Sequence, residues 1–260
     1  MQQGGSSIAR GAPMTSLGDF GVGLSVVTFD CWNTLVVESD WVCAHGLRVS
    51  ALERAARDAG RESSRERVTA AFDAAWARHM ELWESGVASG ALEVARWASE
   101  ELGLAPSGPA FDSLHAAFEE ASHSGDVSAV AESVETLAAL AASGIRLGLI
   151  CDTGLTPGRV VRQHLARLGL LAFLEVTIFS DEWSRTKPDP ALFHAALAAL
   201  DCAPEAAAHV GDLRRTDVAG ARAVGMRSIR IRAIHDDRTG HAEADAVVAS
   251  HGELRALAGV

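Results

Sequence analysis

Val26-Val27-Thr28-Phe29-Asp30-Cys31-Trp32-Asn33-Thr34-Leu35 is an apolar run that stops at a carboxylate and a small polar loop. Such a run suits a strand buried on both faces of a parallel sheet, and ligands of these sheets bind just beyond the carboxyl ends of the strands. Asp30 is therefore expected at the mouth of the sheet.

Three later stretches repeat this arrangement of strand end and polar chemistry. Leu147-Gly148-Leu149-Ile150 leads into Cys151-Asp152-Thr153-Gly154. Phe179-Ser180-Asp181-Glu182 is followed by Thr186-Lys187-Pro188-Asp189-Pro190. His209-Val210-Gly211-Asp212 is followed by Asp217. Further strands are expected at Val176 to Phe179, Ser228 to Ile231 and Ala246 to Val248, with helices between them. The helices are marked by Val130 to Ala141, by Thr156-Pro157 as cap and first-turn proline, and by Asp189-Pro190 in the same role. Alternation of this kind implies right-handed crossovers and an α/β, doubly wound parallel sheet.

Residues 38–125 read differently. Asp40 caps a helix through Leu52 to Ala59, and Val68, Phe72, Trp76, His79 and Trp83 recur at helical spacing. Leu92 to Leu102 and Pro109 to Ser122 add two more helices, so the insertion is expected to be a small α-helical bundle. The core is then 24–37 together with 126–260. Met1 to Gly23, rich in Gly and Ser, reads as a disordered tail.

The 260 residues carry a net charge of −11, which excludes a nucleic-acid surface built on clustered Lys and Arg. Lysine occurs once, at Lys187, against 22 arginines. No run is long and apolar enough to span a membrane. Cys31, Cys43, Cys151 and Cys202 show no metal-finger or CxxC spacing, so a reduced, cytoplasmic protein is expected.

The four ordered stretches resemble the motifs of the haloacid dehalogenase-like (HAD) hydrolases, whose first Asp attacks phosphorus or carbon and becomes transiently esterified. The resemblance implies a Rossmann-like core with a helical cap, and a hydrolase most often acting as a phosphatase on a small phosphorylated metabolite. Asp30 would be the nucleophile, and Lys187 would pair with it and with the transferring phosphoryl group. Thr34 and Cys151 would hydrogen-bond the phosphate, with Asp152 beside them. Mg²⁺ would be held by Asp30, the backbone carbonyl of Trp32, Asp212 and Asp217, a set of oxygen ligands suited to a hard cation. His45 and Arg48 would reach the site from the cap.

Two positions depart from the pattern. HAD phosphatases usually carry a second Asp two residues after the nucleophile as general acid and base, and Trp32 stands there. Cys151-Asp152 replaces the usual Ser or Thr followed by Asn, which brings a negative charge near an anion site. Trp32 keeps a 2-haloacid dehalogenase-type C–halogen hydrolase as the alternative. The two departures together admit a weak or inactive member kept as a binding or regulatory protein. His79 reads as a packed histidine, and His235-Asp236-Asp237 with His241 as an ordinary polar loop.

Overall fold

The computed structural model describes residues 23–260, so all of the expected N-terminal tail except Gly23 lies outside the described residues. The opening run forms β1 (Val26–Phe29), every residue of which is buried. It is the centre of a six-stranded sheet built with β4 (Arg146–Cys151), β5 (Val176–Phe179), β6 (Ala207–Gly211), β7 (Arg227–Ile231) and β8 (Ala246–Val248). The order is β5-β4-β1-β6-β7-β8, and every pairing is parallel. The chain fills one side of β1 and then crosses to the other. The carboxyl end of β1 is thus a topological switch point, where open α/β sheets bind ligands.

Strand alternation divides the core between the two faces of the sheet. Val27, Phe29, Leu147 and Leu149 pack with Leu137, Leu165 and Leu254 on one face. Val26 and Ile150 pack with Leu192, Phe193 and Ala221 on the other. The helices supplying these residues include α5 (Ser133–Ala142), α6 (Gly158–Arg167), α8 (Pro190–Ala199), α9 (Ala219–Val224) and α10 (His251–Ala258). A single turn, α7 (Ser180–Trp183), follows β5. Asp189 caps α8 as expected, its Oδ1 accepting from Ala191 N at 2.9 Å, with Pro190 in the first turn. Two boundaries shift. Pro157 is the cap residue of α6, one place before its expected position inside the helix. Val130 lies outside α5, because its N–H is held by Leu35 O at 2.9 Å.

Four helices fill the insertion: α1 (Val42–Asp58), α2 (Arg65–Glu84), α3 (Ala91–Glu101) and α4 (Pro109–Glu120). Leu52, Val68, Phe72, Val94, Leu114 and Phe118 build their separate apolar core. A feature the sequence reading missed joins bundle and sheet. β2 (Val36–Glu38) and β3 (Val127–Ala129) pair antiparallel, with Val37 opposite Ser128, so both crossings run through one short ribbon. No helix among the described residues is long and apolar enough to cross a membrane.

Candidate active site

Three strands deliver the polar groups. Asp30 follows β1, Asp152 follows β4, and Asp212 follows β6. Lys187 enters from the loop between α7 and α8. Its Nζ lies 2.5 Å from Asp30 Oδ1 and 2.7 Å from Asp217 Oδ1, and it is only 2% exposed. Oxygens of Asp30, Asp212 and Asp217 lie within 4.8 Å of one another.

Three buried carboxylates share one ammonium, and the ionisation of the group follows from that imbalance. Burial pushes Asp30 well above the usual carboxylate range, with Asp217 and Asp212 adding repulsion and Lys187 opposing both. Asp212 is raised to about 7, chiefly by burial and then by Asp217. Burial would also raise Asp217, but Lys187 and His209 overcome it and hold this carboxyl below its ordinary value. Burial alone would lower Lys187; Asp217 and Asp30 reverse the direction and keep it charged.

Asp217 is engaged through both oxygens. Its Oδ1 meets Lys187 and also His209 Nε2 at 3.3 Å, while Oδ2 accepts from Leu213 N at 3.0 Å. The π-helical turn Arg214–Val218 brings it back under β6. Gly211 makes that approach possible, since a Cβ there would stand 2.2 Å from Asp217 Cγ. His209 is fixed in turn by Thr28 Oγ1, 2.8 Å from its Nδ1.

These groups open into a cavity of about 160 Å³ lined by Asp30, Trp32, Asn33, Asp152, Lys187 and Asp212, among others. Trp83 of α2 closes it from the bundle. Its Nε1 donates to Asp152 Oδ2 at 2.9 Å, and the Arg215 guanidinium lies 4.2 Å over its ring. Asp152 Oδ1 accepts from Lys187 N at 3.0 Å. Both oxygens of Asp152 are therefore engaged by protein N–H groups.

A second cavity, about 250 Å³, adjoins the first and shares Trp32 and Asp152 with it. Arg48 lines this neighbour. Its guanidinium donates to Phe118 O at 3.0 Å and to Ser122 Oγ at 2.6 Å.

Several expected contacts are not met. Thr34 and Cys151 are fully buried, and neither lines the Asp30 cavity. The register that sets Phe29 beside Leu149 carries Cys151 alongside Cys31, and the buried thiols interact with each other. His45 packs edge-on against Trp41 and Phe72 and pairs with Asp73 at 3.2 Å, away from the cavity. His79 is a packed histidine, stacked on Trp76 and bonded to Ser89 Oγ at 2.7 Å. The sequence reading missed the contributions of Trp83, His209 and His235. The last lies in the loop dismissed as ordinary, yet its Nδ1 is 2.9 Å from Asp212 Oδ2.

Comparison with known proteins agrees with the fold. The sequence profile of the haloacid dehalogenase-like hydrolases matches residues 93–231, more than half of the chain. The chain belongs to the haloacid dehalogenase-like hydrolases. It is 37% identical over 101 residues to a glyceraldehyde 3-phosphate phosphatase of Methanopyrus kandleri, covering 38% of this chain and 41% of that one. It is 44% identical over 68 residues to a phosphoserine phosphatase of Thermus thermophilus, covering 26% and 27%. The matched stretch thus spans less than half the length of these relatives. Among solved HAD structures, a phosphatase from Thermococcus onnurineus superposes with a TM-score of 0.62 at 21% identity, over 91% of this chain and 98% of the other. A 2-haloacid dehalogenase from Pseudomonas syringae gives 0.63 at 23%, over 90% and 97%. The fold is common to both chemistries.

Proposed function

We propose that the protein is a Mg²⁺-dependent phosphatase that hydrolyses small phosphorylated metabolites through an aspartyl-phosphate at Asp30. One observation carries the reading: three buried carboxylates lie within 4.8 Å of one another around a single lysine. A C–halogen hydrolase of the same family needs no metal, whereas three carboxylates gathered at one point offer oxygen ligands to a hard cation. The curated relatives named above, both phosphatases, support the same reading.

The donor set fits a hard divalent cation, which takes carboxylate oxygens and keeps several waters. Asp30 and Asp212 would hold it, with the Trp32 carbonyl as the resemblance implies. Asp217, whose oxygens are both engaged, instead orients Lys187. When bound, Mg²⁺ would supply positive charge to a dianionic phosphate ester. The four helices from Val42 to Glu120 would act as the cap, with Trp83 walling the Asp30 cavity from the bundle side.

The residues then divide the work. An Asp30 oxygen attacks phosphorus, and the bond to the leaving oxygen breaks. Lys187 stabilises Asp30 as a carboxylate before attack and the phosphoryl charge during it. Water attacks phosphorus in the second step and the P–O bond to Asp30 breaks, so that the Asp30 carboxylate is restored and inorganic phosphate leaves with the protons of the water. Phosphate release from acetyl phosphate, phenyl phosphate, phosphoserine and glyceraldehyde 3-phosphate, measured with and without Mg²⁺, tests the reading. Release stimulated by Mg²⁺ is expected. Halide release from 2-chloropropionate without metal, and no phosphate release, would overturn it.

A further inference from the structure

The second cavity has no assigned occupant, and its position is informative. It meets the Asp30 cavity along Trp32 and Asp152, so a substrate with its phosphorus at Asp30 would extend its leaving group past Trp32 into this space. Together the two cavities, about 160 and 250 Å³, fall within the size of ordinary small-molecule sites, roughly 300 Å³ and upward. From the phosphatase reading, on which this inference rests, we propose that the leaving group is a phenolic ring and that the substrates are aryl phosphate monoesters.

The walls are the first argument. Three indoles line the cavity: Trp32 from the loop after β1, Trp41 at the start of α1 and Trp76 from α2. Two of them are held in place. Trp76 stacks on His79 with ring centroids 4.9 Å apart, and Trp41 meets His45 edge-on at 5.1 Å. Flat apolar walls of this kind favour a flat ring, by stacking or by edge contact. Arg48, fixed by Phe118 O and Ser122 Oγ, places a positive charge on the wall. Glu38 and Asp152 stand on the same lining, so its charges do not distinguish a neutral ring from a cationic amine or choline, which three indoles would also accept. Glu38, on the same wall, can accept a hydrogen bond from a ring substituent.

The chemistry of departure is the second, independent argument. The residue two places after Asp30 is Trp32, whose indole N–H can donate a hydrogen bond but is far too weakly acidic to transfer its proton to a leaving oxygen. Asp152 is no substitute, since both its oxygens already accept N–H bonds. With no proton from either of these residues, the leaving oxygen departs as an anion. A phenolate does so readily, its conjugate acid having a pKa of about 10, as for tyrosine. An alkoxide does not. In the step itself Asp30 forms the new P–O bond, the P–O(aryl) bond breaks with its electron pair on the phenolate, and solvent protonates the phenolate after release.

The test is kcat/KM for phenyl, benzyl and ethyl phosphate, phosphocholine and acetyl phosphate, in the wild type and in Trp41→Leu and Trp76→Leu. Trp41 is 48% exposed, so its replacement leaves the fold intact. Phenyl phosphate should be the best of the esters, and benzyl phosphate should exceed ethyl phosphate through its ring alone. The ratio of phenyl to acetyl phosphate should fall by roughly threefold to tenfold in each variant, the worth of one aromatic contact. Ethyl phosphate or phosphocholine matching phenyl phosphate would overturn the inference and leave the phosphatase reading standing. An unchanged ratio in both variants would do the same. No phosphate from any compound, acetyl phosphate included, would overturn both.

Discussion

Lys187 Nζ lies 2.5 Å from Asp30 Oδ1, and the two residues are only 2% and 7% exposed. A buried pair of this kind adds little net stability while intact, yet removing one partner strands the other charge. Lys187→Met should therefore destabilise the fold by about 3–5 kcal/mol. Adding Asp217→Asn should recover part of that loss, because one stranded carboxylate becomes neutral. Urea midpoints of the two single variants and the double variant measure the coupling. Strict additivity would mean that Lys187 and Asp217 do not act as a pair.

Asp212 and Asp217 should separate in metal binding. Asp212 faces the Asp30 cavity, with His235 as its side-chain partner, whereas Asp217 is spent on Lys187, His209 and Leu213 N. Titration calorimetry with Mg²⁺ should show a large loss of affinity in Asp212→Ala and a smaller one in Asp217→Asn. The reverse order would make Asp217 the ligand and Asp212 the support.

Gly211→Ala tests the approach of Asp217 to β6. The added methyl would stand 2.2 Å from Asp217 Cγ, so the carboxylate and the lysine it orients must move. Misplacement of about 1 Å near reacting groups can cost about 10²-fold in rate. A drop of that order in kcat, with an unchanged circular dichroism spectrum, is the expected result.

Four buried histidines give the fold a pH dependence. Burial lowers His79, His164, His209 and His251 below the ordinary 6.5. Because the unfolded chain binds these protons first, their contribution is complete above 6.5 and is lost as pH falls through the lowered values. Asp30 and Asp212, both raised, act in the opposite sense over part of this range. His164→Gln isolates the histidine part: its loss of urea midpoint between pH 7.5 and 5.5 should be smaller than that of the wild type. An equal loss would mean that His164 titrates alike in both states.

The legible part of this molecule was the part encoded in contiguous runs. The apolar strand ending at Asp30, the lone Lys187 and the Gly211-Asp212 strand end all announced themselves, and so did the stripe from Val68 to Trp83. The ribbon of β2 and β3 did not, since three residues a side are too few to show a period. Nor did the partners of the site. Trp83 meets Asp152 across 69 positions, and His235 meets Asp212 across 23, both placed by tertiary packing rather than local pattern. Cys151 misled for a related reason. Which way a strand-end side chain points depends on register with its neighbour, and the pairing of Phe29 with Leu149 turned this thiol towards Cys31.

Everything in the account converges on the carboxylate of Asp30. The most direct measurement is phosphate release from phenyl phosphate by Asp30→Asn at saturating Mg²⁺, beside the wild type and with the fold checked by urea unfolding. A carboxamide cannot form the acyl-phosphate, so release should fall to the uncatalysed background while the variant remains folded. Release within tenfold of the wild-type rate would contradict Asp30 as the nucleophile.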